Sequence, residues 1–128
     1  PDEAIALRKN LDHFFPKSNV DIINKKVTAD NINKIITTNN KIDFFSLDID
    51  SNDYWILKEM NLSKINVLCC EYNHWLGKEK KLTVPHDKEF KFNDNGIWGA
   101  SLLALNSLLN NKGFSLIACP NLVGSFKA

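Results

Sequence analysis

Two polar clusters each follow an apolar run, and each holds residue types that can do chemistry. The first is DIDSND at 48–53, with Asp48, Asp50, Asn52 and Asp53. Carboxylates placed there can accept hydrogen bonds from an ammonium or hydroxyl, hold a cation, or act as a base. The second is EYNHW at 71–75. Glu71 ends an apolar run, Asn73 and His74 can hydrogen-bond a substrate, and Tyr72 and Trp75 can wall an apolar ligand. His74 titrates near neutrality and can serve as a base. His86, in VPHD, is a further candidate for contact with substrate. Plainer roles compete with each of these. One of Asp50, Ser51, Asn52 and Asp53 can simply cap a helix. An aromatic residue at a strand end often belongs to the rim of a core, and a single histidine is often structural. Capping does not explain Asp48, because an unpaired carboxylate inside a buried apolar run is costly.

Metal chemistry has two weak templates here. Asp48, Asp50, Asn52 and Glu59 fall at the first, third, fifth and twelfth positions of a calcium-loop pattern, but Asp53 stands where the sharp turn needs glycine. His74, His86, Glu71 and Asp87 offer ligand atoms without any tight spacing. The cysteines Cys69, Cys70 and Cys119 form no C-x-x-C pair and no disulfide framework, which fits buried free thiols in a reducing, cytoplasmic setting. A nucleophile elbow, a phosphate-binding P-loop and a G-x-G-x-x-G turn are all missing, which disfavours a hydrolase, a kinase or a nicotinamide enzyme.

These clusters need elements to carry them. Residues 2–15 have Ile5, Leu7, Leu11, Phe14 and Phe15 at near-helical spacing, and Pro16 closes the helix. Residues 20–27 are rich in β-branched types and read as a strand. Thr28 then caps a short helix with Ile32, Ile35 and Ile36 on one face, and Asn39–Asn40 is a turn. IDFFSLDI (42–49) and INVLCCEY (65–72) are nearly continuous apolar runs, the pattern of parallel strands buried on both faces. A helix over 53–60 links them, giving a βαβ unit. Residues 73–100 form a long excursion with three glycines, in which KLTV and EFKF are strand-like pieces. Residues 100–112 are a helix stopped by Gly113. Residues 114–119 are a further strand, and 122–127 can return antiparallel. The class is α/β, in which ligands bind beyond the carboxyl ends of the strands. That rule selects 48–53 and 71–74.

The chain has 128 residues, 44% hydrophobic and 24% charged, which suits one domain. Sixteen basic and fifteen acidic residues leave a net charge of +1, and Arg8 is the sole arginine. Neither a basic field for nucleic acid or anionic membrane nor a supply of bidentate guanidinium groups is present. No apolar run reaches the ~20 residues that span a bilayer.

LDIDSNDYWILKEM (47–60), VLCCEYNHWLG (67–77), LTVPHD (82–87) and GASLLALNSLLNNKGFSLIAC (99–119) occur in that order, and NKKVTADNINKII precedes them. This succession resembles the FkbM-like group of S-adenosylmethionine-dependent methyltransferases, over roughly residues 20–119. Members of that group show a DIDGNDYW-type strand end, an EYN-type strand end, a TVPYD-like loop and a GASLxAL helix running into a KGYxLVGC strand. The resemblance implies a Rossmann-like fold with strand order 3-2-1-4-5-7-6. Its sheet is mostly parallel, with an antiparallel last strand and helices on both faces. Residues 20–27, 42–49, 65–72 and 114–119 would be strands three to six, and the tail from Leu122 strand seven.

The same resemblance implies that the methyl group of S-adenosyl-L-methionine faces the ends of strands four and five. Asp48 and Asn52 would then contact the cofactor, and Val27 and Asp30 would lie by its adenine. Asp50, Glu71 and His74 become candidate catalytic groups, and Tyr72, Asn73, Trp75 and His86 face the acceptor. The acceptor would be a small hydroxylated compound such as a sugar. Two departures stand out. Ser51 replaces the usual glycine, and strands one and two with their glycine-rich loop have no counterpart. Backbone N–H groups of such a loop hold the cofactor's carboxylate and ribose. The expectation is therefore the C-terminal part of a methyltransferase domain, inactive alone. Its strand four would have an open edge, covered by strand three or by a second copy in a homodimer. Two other functions stay open: a non-catalytic module that assembles through that edge, and a metal-dependent α/β enzyme using 48–53 and 71–74.

Overall fold

A computed structural model describes residues 2–16, 19–50, 52–90 and 97–119. The elements run α1 (Asp2–Phe14), α2 (Ile32–Ile35), β1 (Ile42–Leu47), α3 (Asp53–Glu59), β2 (Ile65–Cys70), a 3-10 turn (His74–Leu76) and α4 (Leu102–Asn111). The class is α/β, and the strands β1 and β2 pair in parallel through the α3 crossover. Phe44 faces Val67, Ser46 faces Cys69 and Leu47 faces Cys70.

Side chains alternate across a strand, so β1 and β2 have two different faces. Leu47 on one face joins Ile56, Leu57, Met60, Leu62, Ala104 and Leu105 in the core, with Phe45, Leu68 and Cys70 packed against them. The helices α2, α3 and α4 all contribute to that cluster. Among the described residues the other face is open beyond its first pair: Ile42 and Ile65 still pack with the core, but Phe44 is 61% exposed, Val67 42%, and Cys69 is exposed as well. The expectation of strands buried on both faces, with helices on both sides, is thus corrected, and with it the expectation of a buried Cys69. The apolar runs are continuous because the uncovered face is apolar too.

Two expected strands do not form. Residues 20–27 join no ladder, and a tight turn from the Lys25 N–H to the Ile23 carbonyl (3.0 Å) breaks their extension. They therefore do not line β1, whose outer edge has no strand partner among the described residues. Residues 114–119 join no ladder either. They line an apolar cavity of about 290 Å³ together with Phe44, Val67, Cys69, Leu105 and Leu109. The expected antiparallel strand at 122–127 lies outside the described residues, as does the second half of EFKF.

The excursion 73–100 is braided by a few bonds. Thr83 and Ala100 make an isolated antiparallel bridge, the Asn73 N–H donates to the Ala100 carbonyl (2.8 Å), and the Val84 N–H donates to Gly99 (3.0 Å). Gly99 sits at φ 58°, a left-handed conformation that glycine adopts without steric cost. Ser101 is fully buried and ties this braid to α4. Its Oγ accepts from the Ala104 N–H (3.2 Å) as an N-cap, accepts from Leu82 (3.1 Å), and donates to the Lys80 carbonyl (2.7 Å). At the other end of α4, Gly113 at φ 87° stops the helix as its position predicts.

Candidate functional site

The register of β1 and β2, carried one alternate step past Ser46 and Cys69, sets Asp48 beside Glu71. Asp50 joins them from the turn that leads into α3. Each of these three carboxylates offers an oxygen, and the oxygens lie within 4.8 Å of one another. All three residues are exposed at the carboxyl ends of the strands. Asp50 reaches the cluster from φ 62°, a left-handed conformation unusual for a residue with a Cβ. Aspartate tolerates it better than most side chains.

Asp53 closes the same turn from inside. It is 4% exposed, and its Oδ1 accepts the Ile49 N–H at 3.1 Å. Burial pushes the Glu71 carboxyl above its ordinary range, and the negative charges of Asp48, Asp53 and Asp50 push it further. Like charges held this close favour a proton or a bound cation. Asn52 is the N-cap residue of α3, but its side chain makes no cap bond. Its Nδ2 instead donates to the Asp87 carbonyl at 2.7 Å, and its Oδ1 is buried without a hydrogen-bond partner.

Residues 84–88 form a strap over α3. Trp55 Nε1 donates to the Val84 carbonyl (2.9 Å), and His86 lies on the Trp55 ring with centroids 5.6 Å apart. Lys88 pairs with Asp30, and the Lys26 ammonium donates to the Lys88 carbonyl (2.7 Å). The hydrogen bond and charge of Lys88 hold the Asp30 carboxyl below its ordinary value. Ala29, Asp30, Asn33, Trp55, Glu59 and His86 line a cleft of about 450 Å³ here. His86 therefore stands with Asp30, expected near an adenine, and not with the acceptor cluster. Trp55 was not singled out as a binding residue, and Glu59 only as the twelfth position of the calcium-loop pattern. Their spacing of one helical turn from each other is the signal that could have paired them.

The remaining candidates scatter. Tyr72 lines the apolar cavity beside β2, where a hydrogen bond with Cys119 raises its phenol pKa. Asn73 is fully buried. Its Oδ1 accepts the Trp75 N–H (2.9 Å) and its Nδ2 donates to the Trp98 carbonyl (2.9 Å), so its amide braces the loop. His74 and Trp75 are exposed on the 3-10 turn, with their rings edge to face. Val27 packs half-buried against the core. The four-residue grouping of His74, His86, Glu71 and Asp87 is not assembled; among the described residues, Asp48, Asp50 and Glu71 are the set within metal-binding reach. No protein-family model matches the chain, and neither a curated protein nor a solved structure does.

Proposed function

We propose that this chain carries the acceptor side of an S-adenosylmethionine-dependent methyl-transfer site. The observation behind this reading is the convergence of Asp48, Asp50 and Glu71 at the carboxyl ends of two parallel strands. Open α/β sheets bind ligands in that crevice. Three carboxylates fit the cationic end of this cofactor, its ammonium and its sulfonium. The cleft with Trp55 and Asp30 offers an aromatic wall on the side where the resemblance puts the adenine. When bound, the cofactor supplies an electrophilic methyl group. In this reading Asp48 faces the cofactor, Asp50 orients the acceptor hydroxyl for in-line attack, and a carboxylate oxygen of Glu71 takes its proton. His74, on the exposed 3-10 turn, is the alternative base. The acceptor is a small hydroxylated molecule, a sugar by resemblance. The wider reading keeps the Rossmann-like sheet with its antiparallel last strand, the cytoplasmic location and a homodimer closed through the free edge of β1.

A second reading has its own observation. Three carboxylate oxygens within 4.8 Å of one another suit a divalent cation, and a metal-dependent α/β enzyme would use them directly. Calorimetry of the full chain with S-adenosylhomocysteine, magnesium and calcium separates the two. Micromolar binding of S-adenosylhomocysteine, lost in Asp50→Ala and in Glu71→Ala, supports methyl transfer. Cation binding with no binding of S-adenosylhomocysteine replaces that reading with the metal enzyme. Neither kind of binding leaves an assembly module.

A further inference from the structure

The geometry points to residues 85–89 as a lid over the Trp55 cleft, which opens as a unit while Val84 stays anchored and which lets go of the turn carrying Asp50 when it opens. The inference stands on the contacts of the strap and does not depend on the methyl-transfer reading. Val84 is the fixed end. It is 4% exposed, its N–H donates to the Gly99 carbonyl (3.0 Å), and its carbonyl accepts from Trp55 Nε1 (2.9 Å). The chain changes character at the next residue. Pro85, His86, Asp87, Lys88 and Glu89 are all exposed, and none of them joins the core cluster. Polar contacts hold them down instead. Asn52 Nδ2 donates to the Asp87 carbonyl (2.7 Å), Lys88 pairs with Asp30, and the Lys26 ammonium donates to the Lys88 carbonyl (2.7 Å) and pairs with Glu89 (3.8 Å).

Segments with few buried apolar contacts and with exposed hydrogen bonds open before the core does. Both partners of each ion pair here are exposed, so water and salt compete for them. The closed position carries a cost as well. Asn52 Oδ1 is buried and has no hydrogen-bond partner among the described residues, although Nδ2 of the same amide is bound to the strap. A buried, unpaired acceptor is destabilising, and lifting Asp87 away admits water to that amide. The same movement carries His86 off the Trp55 ring and uncovers the cleft that both residues line. Trp55 stays where it is, held by the Val84 carbonyl and with the Lys58 ammonium 4.9 Å from the centre of its ring. Asn52 lies between Asp50 and Asp53 at the start of α3, so an open lid leaves the acidic turn with one hydrogen bond fewer. Cleft and carboxylate cluster are thereby coupled through one strap.

Relaxation-dispersion NMR on the full chain tests this. The backbone amides of 86–89 and the side-chain amide of Asn52 are expected to share one exchange process, in which the Val84 amide and the Trp55 indole N–H take no part. Lys88→Ala should raise the open population about twofold to fivefold, the worth of an exposed ion pair. Salt at 1 M should act on the parent chain in the same direction. Lys34 also acts on Asp30 by its charge, but it touches no part of the strap, so Lys34→Ala should leave the population unchanged. Lys34 and Lys88 are both exposed, and circular dichroism checks that each variant folds. A strap that shows no exchange overturns the proposal. So does exchange that includes Val84 and the Trp55 indole, because the whole excursion would then move together. Equal responses to Lys34→Ala and Lys88→Ala also overturn it, because Asp30 would then sense charge alone and Lys88 would latch nothing.

Discussion

The Asp50 and Glu71 carboxylates stand within 4.8 Å of each other, although one leaves the first strand and the other leaves the second. Parallel pairing through a short crossover makes this proximity, because it brings both carboxyl ends to the same side. The Glu71 carboxyl is raised by burial and by Asp48, Asp53 and Asp50. A carboxyl raised in the folded state binds its proton longer than the unfolded chain does. Stability is therefore lost as pH rises from the ordinary glutamate value to the raised one, and the loss is constant above it. Glu71→Gln is expected to stabilise the chain at pH 7 by about 0.5 kcal/mol, a small figure because the site is solvent-screened. The gain should vanish near pH 4 and shrink in high salt. Urea unfolding of both proteins at the two pH values measures it.

Asp50 gives a backbone prediction on the same turn. At φ 62° a Cβ is disfavoured and glycine is not. Asp50→Gly should be more stable than Asp50→Ala by about 1 kcal/mol, the usual cost of holding a non-glycine residue there. Both remove the same charge, so the difference isolates the backbone. Equal midpoints in thermal unfolding would show that the turn is not held left-handed.

The placement of the two acidic clusters after β1 and β2 was legible in the sequence, and much around it was not. Asp48 and Glu71 could be placed together because each ends an apolar strand and the crossover is short. The covered face could not be told from the open one, because Phe44 and Val67 are as apolar as Phe45 and Leu68. Residues 20–27 carry the composition of a strand, but a ladder needs a partner edge, and the turn at Lys25 precludes one. Asn73 looked like a ligand contact because a polar residue at a strand end is the usual sign. Its burial follows from Trp98, 25 positions away, and no local pattern announces such a bond. The strap was invisible for the same reason: Asn52 and Asp87 are 35 positions apart.

Asn73 should consequently behave as a structural residue. Asn73→Ala removes an acceptor from the Trp75 N–H and a donor from the Trp98 carbonyl within a fully buried site. Unpaired buried groups cost about 1–3 kcal/mol each, so a loss of roughly 2–3 kcal/mol is expected. Asn73→Asp keeps the acceptor but buries a charge, and should be no better. Denaturant midpoints test this, and a loss below 1 kcal/mol for both variants would return Asn73 to the ligand-contact set.

The strap over α3 is held through Trp55. Trp55→Phe keeps the aromatic surface under His86 but leaves the Val84 carbonyl without its 2.9 Å donor, and Val84 is 4% exposed. A loss of about 1–1.5 kcal/mol is expected. It should be accompanied by faster amide exchange at 84–88 while the β2 amides stay protected. Uniform acceleration across the chain would mean that the bond serves the whole core and that the strap has no separate opening.

The two adjacent cysteines should react differently. Cys69 points to the open face and is exposed, whereas Cys70 points into the core, and burial, with the neighbouring Cys69 and Asp53 adding to it, pushes its thiol up to about 11. Thiolate is the reactive form, so at pH 8 Cys70 is both shielded and protonated. A thiol-specific reagent should modify Cys69 rapidly, and Cys70 only as fast as the chain opens. Linkage gives a second consequence. A thiol raised in the folded state stabilises nothing below its ordinary value of 9.0, where both states are protonated. Stability is lost as pH climbs from there towards about 11, because the unfolded chain sheds its proton first. Cys70→Ala should therefore flatten the alkaline limb of the stability profile while costing packing at every pH. An alkaline limb unchanged by that substitution would show that the Cys70 thiol is not held in the core.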